Sequence, residues 1–97
     1  MPQLFVTLSD GSSFARELEG IVTIGRAPDN LLVINESSVS SHHAKIDAGN
    51  SGVYLTDLFS SNGTCVNGEK IMTLKLSDGD RVRLGQVECV FTLAASA

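Results

Sequence analysis

Short apolar runs alternate with clusters of turn residues along the whole chain. The apolar or alternating intervals are Leu4 to Leu8, Phe14 to Leu18, Ile21 to Ile24, Leu31 to Ile34, His43 to Asp47, Val53 to Leu58, Arg81 to Leu84 and Val87 to Leu93. Between them lie Ser9 to Ser13, Pro28 to Asn30, Ala48 to Gly52, Ser60 to Gly63, Asn67-Gly68 and Ser77 to Asp80. No window holds an apolar stripe at helical spacing bounded by caps. Many short strands with frequent turns predict an all-β sandwich or barrel.

Two turns are legible in more detail. Arg81 to Leu84 and Val87 to Leu93 alternate as strands with one face on a core do, and Gly85-Gln86 between them predicts a hairpin. Asn67-Gly68, between Cys65-Val66 and Glu69 to Ile71, is the strongest hairpin signal in the chain, because both residues tolerate the positive φ of a type I′ turn. His42 and His43 open a strand, so their side chains point to opposite sides. One is expected to face solvent and the other the loop packing.

Size and composition narrow the picture. A chain of 97 residues suits one compact domain over residues 1–97. With 42% hydrophobic and 19% charged residues, the chain has the composition of a folded domain and not of a disordered segment. The N-terminal residues show no basic start with a long apolar run, and no stretch is long and apolar enough for a membrane span. The expectation is a soluble, cytoplasmic protein without a membrane partner, in which Ala94 to Ala97 form a frayed end. Cys65 and Cys89 both sit between strand-like neighbours, as small buried thiols do; a disulfide between them is allowed but not required.

Seven basic residues against eleven acidic ones give a formal net charge of −4, which argues against nucleic acid held by many phosphate contacts. One phosphate group is a different case. An arginine with hydroxyl and backbone donors can bind it at contact range while distant charges are screened.

Four loop clusters carry candidate chemistry: Gly25-Arg26, Ser37 to His43, Ser60 to Thr64 and Asn67-Gly68. Taken singly, each has an ordinary reading. A loop arginine is usually solvated, and loop serines usually satisfy nearby backbone groups. A zinc site from His42, His43, Cys65 and Cys89 lacks ligand spacing, since adjacent strand histidines diverge and no C-x-x-C pair exists. Ser40, His43 and Asp57 supply triad residue types without a nucleophile elbow, and no phosphate loop of the G-x-x-x-x-G-K-[ST] kind occurs. Neither an enzyme nor a cofactor or metal is expected.

Taken together, Gly25-Arg26, Ser40-x-x-His43-Ala44-x-Ile46, Asp57-Leu58-x-Ser60-x-Asn62-Gly63-Thr64, Val66-Asn67-Gly68 and Asp78-Gly79-Asp80-x-Val82-x-Leu84-Gly85 resemble the forkhead-associated (FHA) domain over about residues 21 to 91. The resemblance implies a β-sandwich of about eleven strands in two sheets, with loops at one end that hold a phosphothreonine peptide. It implies a phosphothreonine-dependent binding module in Ser/Thr kinase signalling. Its partner would be a phosphothreonine-containing protein or peptide, such as a Ser/Thr kinase or its substrate.

Carried onto this chain, Arg26 resembles the arginine that forks onto two phosphate oxygens, and Ser40 the serine that donates to the phosphate. Ser41 stands where the family often has Arg or Asn, a short uncharged departure. Ser61 falls where a residue touches the phosphothreonine, and Asn62 matches the asparagine that binds the peptide backbone. His43 resembles a buttress that holds the binding loops without touching ligand, while Gly25, Asp57, Gly63 and Asn67 look like architecture. Preference for phosphothreonine over phosphoserine needs a niche for one methyl, worth roughly 1–3 kcal/mol. Ser61 and Asn62 would have to line it. Ser37-Ser38-Val39 and Gly85-Gln86 correspond to loops that read the third residue after the phosphothreonine; lacking a full charge, they predict a weak or apolar preference there. Ser41 and the acidic balance also leave room for an alternative: a phospho-independent interaction or self-association domain on the same fold.

Overall fold

Period-two alternation becomes strand wherever one face can be buried, and the computed structural model shows eleven strands in residues 2–49 and 51–93, the residues it describes. They are β1 (Gln3–Thr7), β2 (Ser13–Glu17), β3 (Gly20–Gly25), β4 (Leu32–Val33), β5 (Ala44–Gly49), β6 (Gly52–Asp57), β7 (Thr64–Val66), β8 (Glu69–Ile71), β9 (Thr73–Lys75), β10 (Arg81–Leu84) and β11 (Val87–Thr92). The frayed end expected for Ala94 to Ala97 lies outside the described residues.

The strands form two sheets, ordered β2-β1-β11-β10-β7-β8 and β4-β3-β5-β6-β9. Every pairing is antiparallel except β3 with β4, where Ile24 and Gly25 align with Leu32 and Val33. Leu4, Ile24, Leu32, Ile46, Leu55, Leu84 and Phe91 point inward from both sheets and have no exposed surface. That interdigitated layer is the core, and its burial is the main force holding the sheets face to face.

All eight apolar intervals contain a strand, with shifts of one or two residues at the ends. His43 lies just before β5 and not inside it. β4 keeps only Leu32–Val33, and the Ile34 N–H, donated to Gly25 O at 2.9 Å, closes its short pairing with β3. β9, a three-residue edge strand, has no counterpart among the expected segments; its pairing with Tyr54, Leu55 and Thr56 of β6 supplies what its own length cannot. The Asn67-Gly68 turn has φ of 52° and 88°, as a type I′ turn requires.

Cys65 and Cys89 are both free thiols. β10 runs between their strands, with Cys65 opposite Arg83 and Cys89 opposite Val82. Neighbouring residues on a strand face opposite sides, so the two thiols lie on opposite faces of the sheet, two strands apart, and cannot be bridged. Burial, with the Glu88 charge as a smaller contribution, pushes the Cys89 thiol up to about 12.

Register also gathers the loops. Ile24 pairs with Ala44 and Ala44 with Asp57, while Leu84 pairs with Thr64. The segments after β3, before β5, after β6 and after β10 therefore leave the sandwich at one end. Cross-loop backbone bonds join them: Arg26 N–H to Ser40 O at 2.9 Å, Leu58 N–H to His43 O at 2.9 Å and Gly85 N–H to Gly63 O at 3.2 Å.

Candidate functional site

His43 is the hub of this end. It has no exposed surface, and its ring links two loops that are 20 residues apart in sequence. Ser40 N–H donates to Nδ1 at 3.1 Å, so the ring proton sits on Nε2, which donates to Gly63 O at 2.9 Å. The two histidines diverge as expected: His42 is exposed and meets the Asp29 carboxylate at 3.0 Å.

Asp57 braces the second loop. Its carboxylate accepts from Ser60 Oγ, from Ser60 N–H at 3.3 Å and from Thr64 Oγ1 at 2.8 Å. Burial works to raise its pKa, but the hydrogen bonds from Ser60 and Thr64, aided by the nearby His43 ring, outweigh it and hold the carboxyl below its ordinary value. Gly63 has φ of 85°, and its carbonyl accepts from both His43 and Gly85.

Gly25 is required by close approach. A Cβ there would lie 2.2 Å from Ser41 O, a backbone atom pinned by Ala27 N–H at 3.1 Å and Asn30 Nδ2 at 2.7 Å. Asn30 is a positioning residue that the sequence reading missed; it is buried and also donates to Ala27 O. Its Oδ1 is buried without a partner, which costs stability, but the opposite amide orientation would face oxygen to two carbonyls. Its place in a Pro28-Asp29-Asn30 turn was the only available signal.

On this frame the candidate ligand groups sit at the surface. Ser61 N–H donates to Ser40 Oγ at 3.0 Å, which fills one of the hydroxyl's two acceptor positions and leaves its proton to donate. Asn62 Nδ2 donates to Ser38 O at 2.8 Å, leaving Oδ1 and one amide proton. Ser38 Oγ accepts from Gln86 N–H at 3.0 Å and so ties in the β10–β11 turn. Arg26 is exposed, and among the described residues its guanidinium makes no hydrogen bond or ion pair. Ser41 and Ser61 are exposed beside it.

Asn67 is placed elsewhere. It sits past the far end of β7, where its side chain accepts from Arg81 N–H and donates to Asp80, both at 3.0 Å, so it shapes the hairpin and not the loops. Phe59 was also missed. It precedes Ser60 with φ of 56° and is 90% exposed, an unusual backbone for a bulky side chain.

An uncommitted guanidinium, an oriented hydroxyl and serine and asparagine donors thus stand together on braced loops at one end of a β-sandwich, groups of the kind that hydrogen-bond anions at contact range. The profile of the FHA domain family matches residues 22–85, and the chain belongs to that family. FHA domains are binding modules.

Among curated relatives, the chain is 44% identical over 72 residues to the ABC transporter ATP-binding/permease protein Rv1747 of Mycobacterium tuberculosis. It is 38% identical over 84 residues to the FHA domain-containing protein FhaA, and 35% identical over 81 residues to the glycogen accumulation regulator GarA, both of the same organism. These matches use 74%, 86% and 84% of this chain but only 8%, 16% and 49% of the relatives.

Solved structures agree. The FhaA FHA domain complexed with the intracellular domain of Rv3910 superposes with a TM-score of 0.83 at 32% identity, over 94% of this chain and 99% of that one. An FHA domain studied for phosphothreonine-dependent interactions gives 0.80 at 31%, over 97% and 99%. Mycobacterium tuberculosis EmbR in complex with a low-affinity phosphopeptide gives 0.82 at 31%, over 98% and 25%.

Proposed function

We propose that this chain is a phosphothreonine-dependent binding module that recruits a phosphorylated partner in Ser/Thr kinase signalling in the cytoplasm. The observation that carries the reading is the Ser40 hydroxyl, turned outward by Ser61 N–H between two loops that His43 clamps, with an unpaired Arg26 alongside. A phosphorylated side chain brings a charge near −2 and three acceptor oxygens. Arg26 takes two of them through its planar fork, and Ser40 donates to the third. Ser61 contacts the phosphothreonine, and Asn62 fixes the register of the ligand backbone through its free amide atoms. Ser41 adds no charge to this pocket, so the phosphate stays partly solvated. The partner is a phosphothreonine-containing protein, a kinase or one of its substrates. Ser38, held by Gln86 N–H, offers the third residue after the phosphothreonine no charged contact, which supports a weak or apolar preference there.

Fluorescence anisotropy with matched phosphothreonine, phosphoserine and unmodified peptide pools tests this directly. Binding confined to phosphothreonine and abolished in Arg26→Ala supports it; equal binding of all three pools would sink it.

A second reading is favoured by one observation. Ile21, Leu31 and Val33 are exposed on β3 and the adjoining edge, at 55%, 60% and 41%. An apolar patch of this kind suits phospho-independent interaction or self-association. Sedimentation of the unligated protein separates the two, since a phosphopeptide reader of this size need not dimerise.

A further inference from the structure

The outer face of the six-stranded sheet holds a concavity of about 590 Å³, lined by Cys65, Asn67, Gly68, Arg81, Arg83 and Glu88. Register explains its charge. Arg83 lies across from Cys65 on one side and Glu88 on the other, and Lys70 flanks Cys65 on β8. Arg81 and Arg83 alternate outward along β10 while Val82 and Leu84 enter the core.

Three of the chain's seven basic residues thus meet on one face of an acidic protein. Among the described residues none of the three has a carboxylate within 4.0 Å, although Glu88 stands directly opposite Arg83. Cations that the protein does not neutralise itself are available to a ligand.

The groove runs along β7 and β10 from Arg83 and Cys65, nearer the loop end, to Arg81 and the Asn67-Gly68 turn at the far end. Lys70 Cε and Nζ lie 3.0 and 3.6 Å from the position a Gly63 Cβ would take, and Gly63 follows Asn62 directly. With a strand rise of about 3.3 Å per residue, Arg83 lies about 7 Å and Arg81 about 13 Å below Gly85. An extended peptide leaving the loops over this face would present side chains to Arg83 after about two residues and to Arg81 after about four.

We propose that this groove is a second anion-binding site, which takes acidic side chains of the same phosphopeptide outside the segment held by Arg26 and Ser40. The assignment rests on the phosphothreonine reading for its ligand and on the groove's own charge for its chemistry. Arg81 and Arg83 provide the selectivity, and Glu88 limits it by repelling the incoming anion. Carboxylates and a second phosphate share this chemistry.

The test compares a minimal phosphothreonine peptide with versions carrying four Asp or Glu residues on its N-terminal or C-terminal side, and with one carrying a second phosphothreonine there. At low salt an acidic extension on one side tightens binding about three- to tenfold, as expected for two exposed ion pairs. The gain shrinks as salt shortens the Debye length from about 30 Å at 0.01 M to about 8 Å at 0.15 M. It disappears in Arg81→Gln/Arg83→Gln and grows in Glu88→Gln, while the minimal peptide binds all these proteins alike. The arm with the larger gain tells carboxylate from phosphate.

No gain on either side, or a gain that survives in Arg81→Gln/Arg83→Gln, overturns the site. A second measurement is independent of phosphothreonine. Hexaglutamate at low salt should shift the backbone amide signals of Arg81, Arg83 and Glu88 in the wild type and not in the double variant. Absence of that shift refutes the groove even where phosphothreonine binds; its presence upholds the groove even where phosphothreonine does not.

Discussion

The two ends of the sandwich are built differently. At the loop end, side chains reach across long sequence separations: His43 to Gly63, Ser40 to the Ser61 amide, Asn62 to Ser38, and Ser38 to the Gln86 amide. At the other end, tight turns do the work, with Gly49 paired to Gly52 across one hairpin and Asn67-Gly68 closing another. Where the chain only reverses, turn chemistry is backed by exposed side-chain bonds such as those of Asn67 to Asp80 and Arg81. Where loops must present donors in a fixed array, buried polar groups hold them, and the ordering entropy is spent at folding and not at binding.

The contrast predicts that changes at the loop end alter stability and binding together, whereas changes at the turn end alter stability alone. The largest effect belongs to His43→Ala. It opens a buried cavity and leaves Ser40 N–H without its acceptor, so a loss of about 3 kcal/mol is expected in chemical denaturation, with phosphopeptide binding lost in the surviving folded fraction.

Asn67→Ala comes next. Its φ of 52° suits asparagine far better than alanine, and the bonds to Asp80 and Arg81 are lost, so about 1–2 kcal/mol should disappear from the denaturation midpoint. Phosphopeptide affinity should stay the same. A matching loss of affinity would erase the distinction between the two ends.

Phe59→Gly sharpens it from the opposite direction. Glycine adopts φ of 56° without strain, and the lost side chain is almost wholly exposed, so stability should rise by about 1 kcal/mol in the same assay.

The smallest expected effect, that of Asp57, is read through pH. Its folded pKa is below the ordinary value of 3.8, so its stabilisation is fully present above that value and is lost as pH falls through the lower folded pKa. Thermal melts from pH 6 down to pH 2 should show a steeper acid decline in the wild type than in Asp57→Asn.

Much of the fold was legible because alternation is local information: Arg81 to Leu84 and Val87 to Leu93 read as strands, and β10 and β11 cover Arg81–Leu84 and Val87–Thr92. Asn67-Gly68 announced its own turn. β9 escaped because three residues beside Met72 make too short a pattern without the β6 partner. At the site, the resemblance to the FHA domain pointed to Arg26, Ser40, Ser41, Ser61 and Asn62, and the structure brings these residues to one end. What the sequence could not reveal is who bonds to whom. The Ser40–Ser61 contact and the Asn30 anchor on Ser41 exist only once the sheets have packed. Asn67 shows the reverse limit, since a motif residue near the site in sequence lies a full strand away in space.

On the proposed function, the loop end, and not the sheet faces or the far turns, reads phosphothreonine. A titration of the isotopically labelled protein with a phosphothreonine peptide, followed through backbone amide signals, tests it most directly. Saturable shifts are expected at Arg26, Ser40, Ser61 and Asn62, none at Gly52, and no response to the unphosphorylated peptide. Shifts centred on Ile21, Leu31 and Val33, or equal shifts with both peptides, would contradict it.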